Sequence, residues 1–153
     1  MRLRRELHGL IVRRAKLADR PAWAAMLARL HPEQSAAEFE AEFADLPEHF
    51  VAFLAFTDAG EPIAMIDAMV RNYAEGAPNF RAAYVEDLWV EPEHRRGGVA
   101  RALLQAVEQW ADEQGLSWLG SDAAIGNTAS HAWHASAGFD EIERIVVFGK
   151  PLR

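Results

Sequence analysis

Cysteine is absent from the 153 residues, which removes disulfides, thiolate zinc sites and thiol nucleophiles from consideration. No apolar run approaches the roughly 18 residues needed to span a membrane, and Met1-Arg2-Leu3-Arg4-Arg5-Glu6-Leu7-His8 is charged and never reaches the hydrophobic stretch of a signal peptide. Excess positive charge is missing too. A net charge of −7 argues against a general nucleic-acid surface and favours cationic partners. No Gly-Lys-Ser/Thr follows any glycine turn and no Gly-x-Gly-x-x-Gly occurs, so the Walker-type and dinucleotide loops are excluded. Repeats, low-complexity stretches and linkers are lacking as well. The expectation is a soluble cytoplasmic protein without membrane or nucleic-acid partners.

Half of the residues are hydrophobic, enough for one domain spanning 1–153 with a proper core. Leu10 to Ala15 reads as a short strand, and Asp19-Arg20-Pro21 starts a helix from Ala22 to Leu30, with Asp19 as cap. His31-Pro32-Glu33 interrupts it, and a second helix, about Ser35 to Ala44, carries Phe39 and Phe43 on one face. Phe50 to Phe56 and Pro62 to Val70 are strands joined at Asp58-Ala59-Gly60 as a hairpin. After the loop Tyr73 to Asn79 come a strand from Ala82 to Val90 and a long helix from about Gly98 to Gln114, with Val99, Leu103, Val107 and Trp110 on one stripe. A buried strand from Leu116 to Ser121, a helix from about Thr128 to Ala137 and a last strand from Ile142 to Lys150 complete the chain. These patterns alone predict an α/β or α+β fold, because hairpins and helix crossovers mix.

The most informative stretch runs from Val90 through Glu91-Pro92-Glu93-His94-Arg95-Arg96-Gly97-Gly98 into Val99-Ala100-Arg101. Two glycines let the backbone turn and bring N–H groups close to an anion, two arginines add charge, and the helix that follows offers its positive end. The expected ligand is a phosphate. Within it, Arg95-x-x-Gly98-x-Ala100 matches the Arg/Gln-x-x-Gly-x-Gly/Ala pattern of the GNAT acetyltransferases. Downstream, Asn127 and the Gly138-Phe139 pair fit a second pattern of those enzymes. The segment from Tyr84 to Phe148, with Val85-Glu86-Asp87, Ser121-Asp122-Ala123-Ala124, Ser130-His131-Ala132 and Glu143-Arg144-Ile145-Val146, resembles the small single-domain aminoglycoside 6′-N-acetyltransferases.

That resemblance implies the GNAT fold, a central mixed twisted sheet with helices on both faces. It further implies acetyl-CoA as co-substrate and an aminoglycoside as acceptor, with direct transfer to the 6′-amino group in a ternary complex. Its cofactor contacts fall on Leu88, Trp89, Val90, Arg95, Arg96, Gly97, Gly98, Val99, Ala100, Arg101 and Asn127. The oxyanion of acyl transfer would meet main-chain N–H groups near Leu88, Trp89 and Val90, although Leu88 and Val90 also suit a core. Glu86, Asp122 and Glu143 match the acceptor contacts, with Glu86 and Asp122 assigned to the chemistry, while a plain surface role remains open for all three. Where the family presents a Trp-Pro pair this chain has His31-Pro32, and its loop around Tyr73 is one residue shorter. Both changes fall at the substrate cleft.

At the place of a proton-donating tyrosine in many GNAT enzymes stands His134, which either protonates the leaving thiolate or packs. His131 and His134 share a helix face but lack a third clustered ligand, so no metal is expected. Two other functions compete. One is a GNAT enzyme for another amine, such as a polyamine, an amino acid or a protein N-terminus. The other is a non-catalytic acyl-CoA-binding regulator. The apolar strand Ile145-Val146-Val147-Phe148 fits either a homodimer edge or a buried central strand.

Overall fold

The computed structural model describes residues 9–153, so the charged segment Met1 to His8 lies outside the described residues. Two compact units divide the chain at Ser121 and are taken in turn. In the first, β1 (Ile11–Arg14), β2 (Phe50–Phe56), β3 (Pro62–Arg71), β4 (Ala82–Val90) and β5 (Leu119–Gly120) form a sheet in that spatial order. The first four strands are antiparallel, with β2 and β3 joined by a short hairpin, and β4–β5 is parallel.

Alternation sorts the strand side chains onto two faces. Ala52, Leu54 and Phe56 of β2 and Met65 of β3 pack under α1 (Arg20–Leu30) and α2 (Ala36–Glu42), against Trp23, Leu27, Phe39 and Phe43. The helix α3 (Val99–Glu113) lies along β1 to β4 and buries Val99, Leu103, Leu104, Val107 and Trp110, the stripe expected from a 3.6-residue period. Ser35 and Glu38 close a capping box that starts α2. Asp19 departs from its expected role. It precedes α1 but does not cap it, because its carboxylate is held by Arg13 at 2.6 and 3.1 Å and by the Lys16 N–H.

Two strands also depart from expectation. The stretch from Leu116 to Ser121 shrinks to the two half-buried residues of β5, which pair with Ala83 and Tyr84. In the second unit the segment from Ile142 to Lys150 forms no strand. Its pattern is β-prone, yet a strand exists only where a neighbour accepts its ladder. Phe148 and Val147 are 89% and 83% exposed.

Helix α4 (Thr128–Ser136) organises that second unit. Asn127 caps its start, with Oδ1 accepting from the Ser130 N–H at 3.2 Å. Gly138, at φ +94°, closes its end: the Phe139 N–H reaches the His134 carbonyl and the Gly138 N–H the Ala135 carbonyl, a Schellman cap. Phe139 folds back against His134 with ring centroids 5.1 Å apart. The Gly-Phe pair therefore has a local structural reason.

Candidate active site

The end of β4 builds the phosphate loop. Pro92–His94 make one tight turn, Arg96 takes φ +64°, and Gly98 takes φ +84° as the residue before α3. A non-glycine residue in the left-handed region is strained and persists where its surroundings hold it. The first i→i−4 bond of α3 runs from the Ala102 N–H to the Gly98 carbonyl, so the N–H groups of Val99 and Ala100 stand ahead of that ladder at the head of the helix. That is the donor set an anion needs.

The two arginines of the loop differ. Arg95 donates from Nε to the Val90 carbonyl at 2.9 Å and lies over the Trp89 ring at 4.8 Å, which fastens the loop to β4. Arg96 is exposed at the turn itself. A cavity of about 460 Å³ adjoins the loop, with His94, Arg95, Arg96, Gly97 and Val99 in its lining.

Ladder geometry decides which main-chain groups of β4 are available. The Glu91 N–H bonds the Ile63 carbonyl, so by alternation Trp89, opposite Met65, also addresses β3, while Leu88 and Val90 turn their amides to the opposite edge. Along that edge β5 reaches only Ala83 and Tyr84, and among the described residues no strand pairs with β4 beyond Tyr84. Leu88 and Val90 thus point their amides at that edge, and Trp89 points its own into the β3 ladder.

The register slips in the middle of β4. Asp67 pairs with Asp87 but Ala68 with Val85, so Glu86 is the extra residue of a bulge. Its carboxylate is clasped by Arg71 at 2.9 and 2.7 Å, and the Arg71 guanidinium lies 3.6 Å from the Tyr84 ring centroid. The carboxylate expected to meet a cationic acceptor already has a cation beside it.

Two carboxylates here were missed by sequence reasoning. Asp67 is 1% exposed, and its Oδ2 accepts from the Trp23 indole at 3.3 Å while Oδ1 meets no donor. Burial, then the charge and hydrogen bond of Asp87, push the Asp67 carboxyl well above the usual carboxylate range. Asp87 in turn lies 2.6 Å from His31 Nε2. His31, expected at the substrate cleft, ends α1 beside that pair. Only an acidic residue inside an apolar strand, Ile66-Asp67-Ala68, could have signalled the cluster.

Tyr73 is exposed in the β3–β4 loop, its ring 6.2 Å from that of Phe80. Asp122, Asn127, His134 and Glu143 belong to the second unit. There Asp122 and Glu143 are exposed, and Asn127 spends Oδ1 on the α4 cap. His134 Nδ1 lies 2.7 Å from the Ser130 carbonyl, which can only accept. Nδ1 therefore carries a proton, and in the neutral ring Nε2 bears the lone pair. His131 Nε2 likewise meets the Ala124 carbonyl at 3.0 Å. Among the described residues no three His, Asp or Glu cluster as metal ligands, and no helix is long and apolar enough to cross a membrane.

Comparison with known proteins adds a second line. The acetyltransferase (GNAT) family model matches residues 20–139. An aminoglycoside N(6′)-acetyltransferase type 1 of Acinetobacter baumannii is 42% identical over 105 residues, 68% of this chain and 72% of that protein. One of the same name from Klebsiella aerogenes is 33% identical over 147 residues, 93% of this chain and 97% of that protein. A solved structure of AAC(6′)-Iy with the bisubstrate analogue CoA-S-monomethyl-acetylneamine has a TM-score of 0.87 at 28% identity, covering 93% of this chain and 98% of that one.

Proposed function

The chain belongs to the acetyltransferase (GNAT) family and is an N-acetyltransferase, and from that premise we propose that it moves the acetyl group of acetyl-CoA directly onto the 6′-amino group of an aminoglycoside, both substrates being bound at once. The observation that carries this reading is the loop from Arg95 to Arg101, whose glycine turn and leading α3 amides stand at the end of a strand with an open edge. The acceptor class rests on the relatives, which bear that activity in their names. A family match running through both units supports a single domain over 1–153.

Each residue then has a task. The amides of Gly97 to Arg101, with Arg96, hold the pyrophosphate, Arg95 braces the loop, and Asn127 adds a cofactor contact. Leu88 and Val90 offer main-chain N–H groups to the pantetheine and to the thioester oxygen. The acceptor nitrogen must be neutral to attack. Asp122 and Glu86 take up its proton and, with Glu143, His31 and Tyr73, bind the rest of a polycationic acceptor. As the carbon–nitrogen bond forms and the carbon–sulfur bond breaks, the thiolate takes a proton for which His134, as imidazolium, is the donor. The enzyme works in the cytoplasm as a homodimer. The exposed apolar run of Ile145, Val146, Val147 and Phe148 supports the dimer, since it is the kind of surface another chain covers.

A thiol-release assay with acetyl-CoA against aminoglycosides, polyamines and peptides tests the whole. Acetylation of 6′-amino aminoglycosides, mapped to the 6′ nitrogen, with rejection of a 6′-hydroxyl analogue, is the expected result. Failure with every aminoglycoside but turnover of a polyamine or peptide would move the enzyme to that acceptor. Tight acetyl-CoA binding without any turnover would make it a regulator.

A further inference from the structure

A cleft of about 580 Å³ opens between α1, α2 and the sheet, with Trp23, Phe39, Phe43 and Phe50 as its walls and Asp67 and Asp87 within it. Glu42 and Asp45 add two more carboxylates to the lining, which includes no lysine or arginine. Trp23 and Phe43 are stacked with centroids 3.8 Å apart, a rigid flat wall. Asp67 and Asp87 stand directly opposite each other across the β3–β4 ladder, a pair that would destabilise the sheet if both were ionised. The completely buried Asp67 faces the cleft with Oδ1 lacking a donor.

We propose that this cleft seats a protonated amine of the acceptor, held on the Asp67–Asp87 carboxylate pair with its carbon skeleton against the aromatic wall. Aromatic faces attract cations, and flat rings cover the apolar body of an amino sugar. The seated amine is not the one acetylated. Between two carboxylates it stays charged, whereas the reacting nitrogen must be neutral. The pair therefore positions the acceptor and selects molecules with at least two amino groups. Its identification as an acceptor subsite rests on the function proposed above.

The groups facing Asp67 are Asp87 and Glu86 of β4 and the Trp23 indole of α1, with His31 and, 3.6 Å from its Nδ1, Glu33 beyond Asp87. None is a fixed cation on Asp67. An arriving ammonium would supply that charge, and the proton that Asp67 holds when the cleft is empty would leave.

Calorimetric titration of the CoA-saturated protein with neamine, in two buffers of different ionisation enthalpy, reads affinity and proton count together. Against the wild type, Asp67→Asn and Asp87→Asn should each weaken neamine at least roughly tenfold, and Asp67→Asn should change the proton count by about one. In turnover KM should rise with kcat nearly kept, and 6-amino-6-deoxyglucose, whose one amine is the reacting one, should show no such loss. Circular dichroism confirms folding, and if Asp67→Asn does not fold, the half-buried Asp87→Asn carries the test. Acetylation of neamine with unchanged affinity and proton count in the variants would overturn the cleft and leave the proposed function standing. Absence of aminoglycoside turnover, with spermidine binding that still depends on Asp67, would do the reverse.

Discussion

Arg71 and Glu86 form a two-point ion pair across the β3–β4 ladder, with Arg71 also resting on the Tyr84 ring. The bulge at Glu86 puts this pair where the strand opens. Both side chains are partly exposed, so the pair contributes no more than about 1 kcal/mol to stability. An acceptor ammonium would compete with Arg71 for the carboxylate. Glu86→Gln should therefore leave the melting temperature nearly unchanged and lower kcat/KM at least roughly tenfold. A matched loss of stability and activity would reduce Glu86 to a structural partner of Arg71.

The glycine before α3 separates backbone from charge. At Gly98 a Cβ would meet nothing within 4 Å, but φ is +84°. Gly98→Ala should cost about 1–2 kcal/mol in loop conformation and weaken CoA modestly. Gly98→Asp adds a negative charge beside the leading amides and should weaken CoA severely in a folded protein. Calorimetry with CoA compares the two, and equal affinities would remove the phosphate from this loop.

Asp67 gives a pH signature with a definite sign. Its carboxyl is raised in the folded protein, so the native state keeps a proton that the unfolded chain releases near the ordinary aspartate value of 3.8. The stability this proton contributes is complete below that value and is lost as pH rises toward the folded value. Asp67→Asn should gain stability relative to the wild type over that rise. Asp19, Glu38 and Glu141 are lowered and act oppositely, so the difference between variant and wild type in urea unfolding is the quantity to follow. A flat difference would mean that Asp67 is ionised in its pocket.

His134 must be an imidazolium to protonate a thiolate, because its Nδ1 proton is committed to the Ser130 carbonyl. His134→Ala should lower the single-turnover rate of acetyl transfer while acceptor binding changes little. An unchanged single-turnover rate in the variant would assign His134 to its contacts with Trp133 and Phe139.

The apolar tail tests the dimer. Val147→Asp places a charge in the exposed run without touching a packed core residue, and should shift sedimentation from dimer to a folded monomer. A wild type that is already monomeric would leave the tail uncovered and sink the dimer.

The sequence by itself determined the local elements. Phe50–Phe56 and Ala82–Val90 have the strand bounds their apolar runs indicate, and the α3 stripe and the glycines at 98 and 138 mark helix ends. These features depend on periodicity and on backbone conformations only glycine adopts easily, so neighbours in sequence suffice. Tertiary structure decided what meets what. Asp67 with Asp87, Arg71 with Glu86, and His31 with Asp87, 56 residues apart, depend on a ladder register that one bulged residue resets. The tail from Ile142 to Lys150 makes the same point in reverse. Its residues favour a strand, but a ladder needs a second edge, and no composition supplies one.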